Sequence, residues 1–230
     1  MIGRRHRVPD PLAYPPGPVR DLAAAPPSPP ATAVAAVEFL AVDIETTGLN
    51  PRRDHVLAAG WVPVAAGQIV LAEAREVLVR PPTGVDVGHS ATVHGLTDDD
   101  LARAVPLADM LPQLLAALHG RVLLAHHTPI ELRFLRRASR TAYGCGLPLT
   151  AVDTVTLQHR LFADAHGAVA PGLLRLHGAR SKFGLPRYRA HHALVDAIAA
   201  GELLLAQIAE LEHVLGREPA LSDLSPIRRR

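Results

Sequence analysis

One cysteine, Cys145, and one tryptophan occur among the 230 residues, and aromatic residues make up only 3% of the chain. A lone thiol excludes an internal disulfide framework and any thiolate-based zinc site, and fits a reducing cytoplasm. So few rings leave the core to Leu, Val and Ala. Long hydrophobic runs are missing as well. The longest uncharged stretch, Val56–Ala72, is interrupted by Gly60, Pro63, Gly67 and Gln68, and so reads as two strands and a turn rather than a membrane span. The basic start (Arg4, Arg5, Arg7) is followed by Pro9, Pro11, Pro15 and Pro16, where a signal peptide needs an apolar stretch. Nor is there a large excess of one charge. The net charge of +2 disfavours a wholesale cationic nucleic-acid binder while leaving room for a local basic face. A cytoplasmic protein with no membrane partner is expected.

What remains is an ordinary globular balance, 48% hydrophobic and 20% charged, long enough for one packed core plus tails. Residues 1–35 carry Pro26, Pro27, Pro29 and Pro30 among alanines with no apolar periodicity, which predicts a disordered or loosely attached extension. Residues 36–216 are expected to form the folded domain, and 217–230 a short basic tail. Within the domain, strands are expected over 37–42, 56–64, 68–79, 121–125 and 149–152, with a hairpin turn at Ala66-Gly67. Thr97 followed by three aspartates marks a helix start, and further helices are expected over 107–118, 129–137, 154–162, 173–183 and 193–215. Strands first, then alternating helices and strands, imply an α/β sandwich with a mixed five-stranded sheet.

Acidic residues carry the chemistry. Asp43 closes the first strand and Glu45 lies two residues on, on the same side of an extended chain. Two carboxylates converging at a strand end repel each other unless a cation lies between them, and an all-oxygen setting suits Mg²⁺ or Mn²⁺. A polar strand end entering a Thr-Gly turn is the plainer alternative. Glu131 sits in the first turn of the helix after the fourth strand, where an acid is also simply favourable. Asp196 is more telling. It lies among Ala193, Leu194, Ala197 and Ile198, and a carboxylate there is costly unless paired or metal-bound.

Taken together, Asp43 and Glu45, the His126-x4-Glu131 setting, and His191-x4-Asp196 resemble the DEDD superfamily of 3′–5′ exonucleases. Within it, the chain is similar to the DEDDh branch, the DnaQ-like family of the polymerase III epsilon subunit. The likeness spans roughly residues 37 to 212. Val93-His94-Gly95-Leu96-Thr97, Val152-Asp153-Thr154 and Lys182-Phe183-Gly184-Leu185-Pro186 match further landmarks of that family. Two positions depart from it: His127 stands where Asn is usual, and Glu131 where Asp is usual. Glu131 retains the carboxylate and adds one methylene. His192 falls where the sister branch carries tyrosine, which argues against that branch.

The resemblance implies a ribonuclease H-like three-layer sandwich holding two divalent metal ions, Mg²⁺ or Mn²⁺. It implies Asp43, Glu45, Glu131 and Asp196 as ligands and His191 as the general base. Thr46, Thr47, Gly48 and Leu49 follow the first acidic pair and are expected to hold the terminal nucleotide, with a plain turn as the alternative. The resemblance implies His94 as a substrate contact, with loop capping as its alternative, and Asp153 as a supporting strand-end acid and no ligand. The remaining histidines, His55 and His126 among them, read as surface or capping residues. The expected activity is release of nucleoside 5′-monophosphates from single-stranded or frayed DNA 3′ ends, in proofreading, repair or turnover. A polymerase or another replication or repair protein is the expected class of partner. The alternatives are an RNA exonuclease of the RNase T or oligoribonuclease kind, a non-catalytic nucleic-acid- or polymerase-binding module, and an enzyme acting on small nucleotides.

Overall fold

The computed structural model of the chain describes residues 10–26, 28–85, 95–189, 191–224 and 227–228. Seven strands form one mixed sheet: β1 (Phe39–Thr46), β2 (Val56–Ala65), β3 (Gln68–Ile69), β4 (Arg75–Leu78), β5 (Val122–Ala125), β6 (Thr150–Asp153) and β7 (Ile227–Arg228). β1 lies between antiparallel β2 and parallel β5, and β6 continues parallel to β5. Two observations raise the expected count of five. A 3-10 turn at Leu71–Glu73 breaks the single strand anticipated over 68–79, and its halves pair separately with the ten-residue β2. The second is β7, which comes from the C-terminal tail and pairs antiparallel with β6.

The helices are α1 (Pro18–Ala24), α2 (Asp98–Ala102), α3 (Leu107–Ala117), α4 (Pro129–Tyr143), α5 (Thr154–Phe162), α6 (Leu176–Lys182) and α7 (Ala193–Leu215). Their ends follow local chemistry. Thr97 caps α2 in a reciprocal box with Asp100, and Pro129 opens α4 where its missing N–H costs nothing. None of the helices among the described residues is long and apolar enough to cross a membrane.

Strand alternation sorts the core into two layers. Leu40, Val42 and Ile44 of β1 pack with Leu111, Leu114 and Leu115 of α3 and Leu132 and Leu135 of α4. Phe39 and Ala41 point the other way, into a cluster with Leu157 of α5 and Leu204 and Leu211 of α7. Continuing the same alternation, Asp43 and Glu45 emerge from β1 on the α7 side.

Both tails differ from expectation. Within the N-terminal segment, α1 buries Val19, Leu22 and Ala23 against the α3–α4 side of the sheet. Residues further on pair with the C-terminal tail: Leu221 N–H donates to Thr32 O (2.9 Å), Ser222 N–H to Pro30 O (2.8 Å), and Val34 N–H to Pro219 O (2.9 Å). Val34, Leu221 and Leu224 are buried in the α7-side cluster. Neither segment has amphipathic periodicity because neither packs as a long regular element. Backbone pairing and a few apolar anchors order them instead.

Candidate active site

Three elements bring the four acidic residues together at the end of β1. Asp43 and Glu45 come from the strand itself, Glu131 from the first turn of α4, and Asp196 from the first turn of α7. Burial pushes the Asp43 carboxyl well above its ordinary range, and the charges of Glu131, Glu45 and Asp196 push it further. Glu131 is only 3% exposed, its Oε2 is buried without a hydrogen-bond partner, and burial lifts its pKa to about 8. Glu45 is raised to about 7 by burial and by Asp196, with His192 opposing. Asp196 is raised by burial, against a hydrogen bond to its carboxylate from the His191 N–H. Such mutual repulsion in a desolvated cluster favours either protons or cations between the oxygens.

The mouth of the cluster is formed by Glu45, His191 and Asp196, whose ligand atoms lie within 4.8 Å of one another. His191 has a left-handed backbone (φ 65°), and its N–H donates to Asp196 Oδ2 at 2.8 Å. That turn leaves the His191 side chain exposed beside the carboxylates. His127 also has a left-handed backbone (φ 79°), which a small polar residue such as Asn adopts more readily. Unusual backbone at two histidines flanking one cluster is a mark of functional geometry.

A second set of residues aligns these groups. Asp153 is buried and accepts from His127 N–H (3.0 Å), Thr128 Oγ1 (3.2 Å) and Val155 N–H (2.9 Å). It thereby caps α5 while fixing the loop that delivers Glu131, the supporting role expected of it. His126 is no surface residue. Burial lowers its pKa to about 4, its Nε2 meets Leu174 O at 3.0 Å and its Nδ1 meets Thr154 Oγ1 at 2.7 Å. A carbonyl can only accept, so Nε2 carries the proton and the neutral ring ties the loop after β5 to the start of α5 and to the Leu174 turn.

Three supporting residues escaped the sequence reading. Gly60 of β2 pairs with Asp43 on one side and Glu76 on the other, and a Cβ there would lie 2.1 Å from Leu194 N and 2.3 Å from Ala193 C. Only a glycine lets the first turn of α7 approach the sheet this closely. Glu76 of β4 accepts from Leu194 N–H at 3.2 Å and meets His192 Nδ1 at 3.0 Å, fastening the same turn. Buried Arg180 of α6 bonds Ala199 O, Pro186 O and Glu202, which anchors the chain leading to His191. A glycine within an otherwise apolar strand is a signal for Gly60. Nothing local marks Glu76 or Arg180.

The expected substrate contacts fare unevenly. Thr46 Oγ1 donates to Gly48 O (2.7 Å), Thr47 Oγ1 accepts from His55 N–H (2.9 Å), and Thr47 N–H donates to His55 O (2.9 Å). Both threonines are therefore engaged in shaping the turn. Gly48 packs on Asp54, and Leu49 stands 67% exposed at the tip. His94 lies outside the described residues.

Comparison with known proteins agrees with this geometry. A DNA polymerase III subunit epsilon-like protein of Rhodobacter capsulatus is 31% identical over 175 residues, covering 76% of this chain and 24% of that protein. The PolC-type DNA polymerase III of Thermotoga petrophila is 27% identical over 176 residues, covering 76% of this chain and 12% of the polymerase. The chain thus spans a quarter or less of the length of these two relatives. Among solved structures, E. coli exonuclease I in complex with a dT13 oligonucleotide superposes with a TM-score of 0.65 at 13% identity, over 78% of this chain and 43% of that one. That likeness establishes a shared ribonuclease H-like fold. The sequence model of the RNase T exonuclease family matches residues 40–204, from the start of β1 to the middle of α7 and so across all four carboxylates. By that match, the chain is a member of the DnaQ-like exonuclease family.

Proposed function

We propose that the chain is a metal-dependent 3′–5′ exonuclease that releases nucleoside 5′-monophosphates from DNA ends. The observation that carries this reading is the carboxylate cluster: Asp43, Glu45, Glu131 and Asp196 all have raised pKa values, and Glu131 Oε2 is buried without a partner. Exonucleases of this family and fold depend in general on divalent metal ions, and an all-oxygen donor set with an orphaned buried oxygen fits Mg²⁺ or Mn²⁺. Asp43, Glu45, Glu131 and Asp196 would hold two such ions. When bound, these ions acidify the attacking water and stabilise charge on the transferring phosphoryl group.

The chain's own residues supply the rest. His191 is exposed at the mouth of the cluster, where its ring accepts the proton of the attacking water. The hydrogen bond from its N–H to Asp196 keeps base and carboxylate in register. Asp153, Glu76 and Gly60 fix the two helix starts that carry Glu131 and Asp196. The Thr46–Leu49 turn stands next to the cluster, and the exposed Leu49 offers an apolar face to the terminal base. The epsilon-like and PolC-type relatives point to work alongside a polymerase or another replication protein in the cytoplasm.

Degradation of 5′-labelled single-stranded DNA and RNA by the purified chain tests this reading, with Mg²⁺, Mn²⁺ or EDTA and with Asp43→Ala as control. The expected result is a metal-dependent ladder shortening from the 3′ end, faster on DNA and missing in the variant. Faster loss of RNA would move the assignment to an RNA exonuclease. Intact strands with both metals would overturn catalysis on polymers.

A further inference from the structure

Most arginines for which the structure shows a side-chain partner bond to acids or carbonyls. Arg121 meets Glu38 and Glu73, Arg180 meets Glu202, and Arg217 meets Asp223. Arg52, Arg80 and Arg137 are different. All three are exposed, and among the described residues their side chains form no ion pair or hydrogen bond. Yet they come from three separate elements to line one groove. Arg52 lies in the loop between β1 and β2, Arg80 just after β4, and Arg137 on α4. The groove has a volume of about 440 Å³, and Phe134, Ala138 and several prolines give it an apolar wall. Its single acid, Asp54, is turned to the Asn50 N–H at 2.7 Å and to Arg53 at 3.9 Å.

Two connections join this groove to the catalytic cluster. His55 lines the groove and is hydrogen-bonded both ways to Thr47, in the turn beside Glu45. α4 carries Glu131 at its start, and Arg137 follows six residues later, about 9 Å along the helix. Arg133 and Arg140 are exposed on the same helix, with Arg137, at the spacing of one face. In a chain of net charge +2, this is a concentrated basic surface, tied to the active site through the Thr47 turn and α4.

We propose that this groove binds single-stranded nucleic acid behind the 3′ end, with Arg52, Arg80 and Arg137 on its phosphates and the apolar wall against its bases. The assignment rests on the exonuclease reading, because that reading puts a strand end at Asp43. Unpaired guanidinium groups suit phosphate oxygens, and an apolar wall among them suits the faces of unstacked bases. The groove's volume falls within the roughly 300–1,000 Å³ of ordinary ligand pockets. Phosphate contacts of this kind fix the path of the strand without reading its sequence.

Binding can be measured apart from hydrolysis, by fluorescence anisotropy of labelled oligo(dT) with the full chain in EDTA. A long strand and a trinucleotide are compared for the wild type and for the double variant Arg80→Ala, Arg137→Ala. The long strand is expected to bind about tenfold more weakly to the variant, with a salt slope smaller by about 1.4, while the trinucleotide changes much less. An unchanged melting temperature would show that the surface substitutions leave the fold intact. Equal affinity and equal salt slope for the long strand in the two proteins would overturn the groove. Hydrolysis in Mg²⁺ is scored separately. A strand that binds through the arginines and stays intact would count against the exonuclease reading and leave the groove standing.

Discussion

Asp43 and Glu131 stand at the bottom of the carboxylate cluster, and Glu45, His191 and Asp196 at its mouth. Glu131 is 3% exposed and its Oε2 has no protein partner, so a proton or a cation there would relieve it. The mouth is organised by main-chain geometry instead. The His191 N–H fixes Asp196, Glu76 fixes the turn that follows, and Gly60 clears the space beneath it. On the proposed reading the bottom holds electrostatic strain that bound metal would relieve, whereas the mouth depends on how precisely α7 is docked. Damage to the two should look different.

Asp43→Asn removes the carboxylate on which the others act. Activity is expected to fall on the order of 10³-fold or more, as for loss of a central catalytic group. The same variant should melt higher than wild type in EDTA at alkaline pH, where the wild-type carboxyl must ionise among its acidic neighbours. Loss of activity with a lower melting temperature would contradict the account of the bottom. Gly60→Ala strikes the mouth. Its Cβ would lie 2.1 Å from Leu194 N, so α7 must shift or the strand must bend. Overpacking of this kind costs about 1–3 kcal/mol, and a displacement near 1 Å costs about 10²-fold in rate. Denaturant melts and steady-state kinetics would read both effects.

Glu76→Ala removes the acceptor for Leu194 N–H and the partner of His192. A fall of about tenfold or somewhat more in activity is expected, with Glu76→Gln recovering part of it through its amide oxygen. Equal kinetics for Glu76→Ala and wild type would show that Gly60 alone docks the turn.

The smallest effect concerns pH. Glu131 and Glu45 are raised in the folded protein from ordinary values of 4.5 to about 8 and about 7. Between the unfolded and folded values the native state binds more protons than the unfolded state, so stability falls as pH rises. In EDTA the melting temperature should drop by on the order of 5 °C between about pH 5 and about pH 8. Saturating Mn²⁺ should flatten that slope by replacing the protons. A metal-free protein equally stable across the range would deny that the bottom is strained.

Much of this was legible in the sequence, and unevenly so. Asp43 and Glu45 were visible because strand alternation puts them on one face, and Asp196 because an acid on an apolar helix must be explained. The ranges expected for α5 and α7, 154–162 and 193–215, coincide with the observed helices. Gly60, Glu76 and Arg180 were hidden because each acts on a residue far away in the chain, with no local pattern to show it. The tails were misread for a related reason. Pro30, Thr32, Pro219 and Leu221 are ordered by pairing two distant segments, which composition cannot reveal. The basic groove was hidden likewise, since Arg52, Arg80 and Arg137 lie in three different segments.

Calorimetric titration of the metal-free chain with Mn²⁺ near neutral pH, in buffers of different ionisation enthalpy, tests the central claim most directly. Two ions should bind, with protons released as the carboxylates at the bottom give them up, and Asp43→Asn should abolish or severely weaken that binding. Absence of binding, or binding indifferent to Asp43, would contradict the assignment of the cluster as the metal centre of an exonuclease.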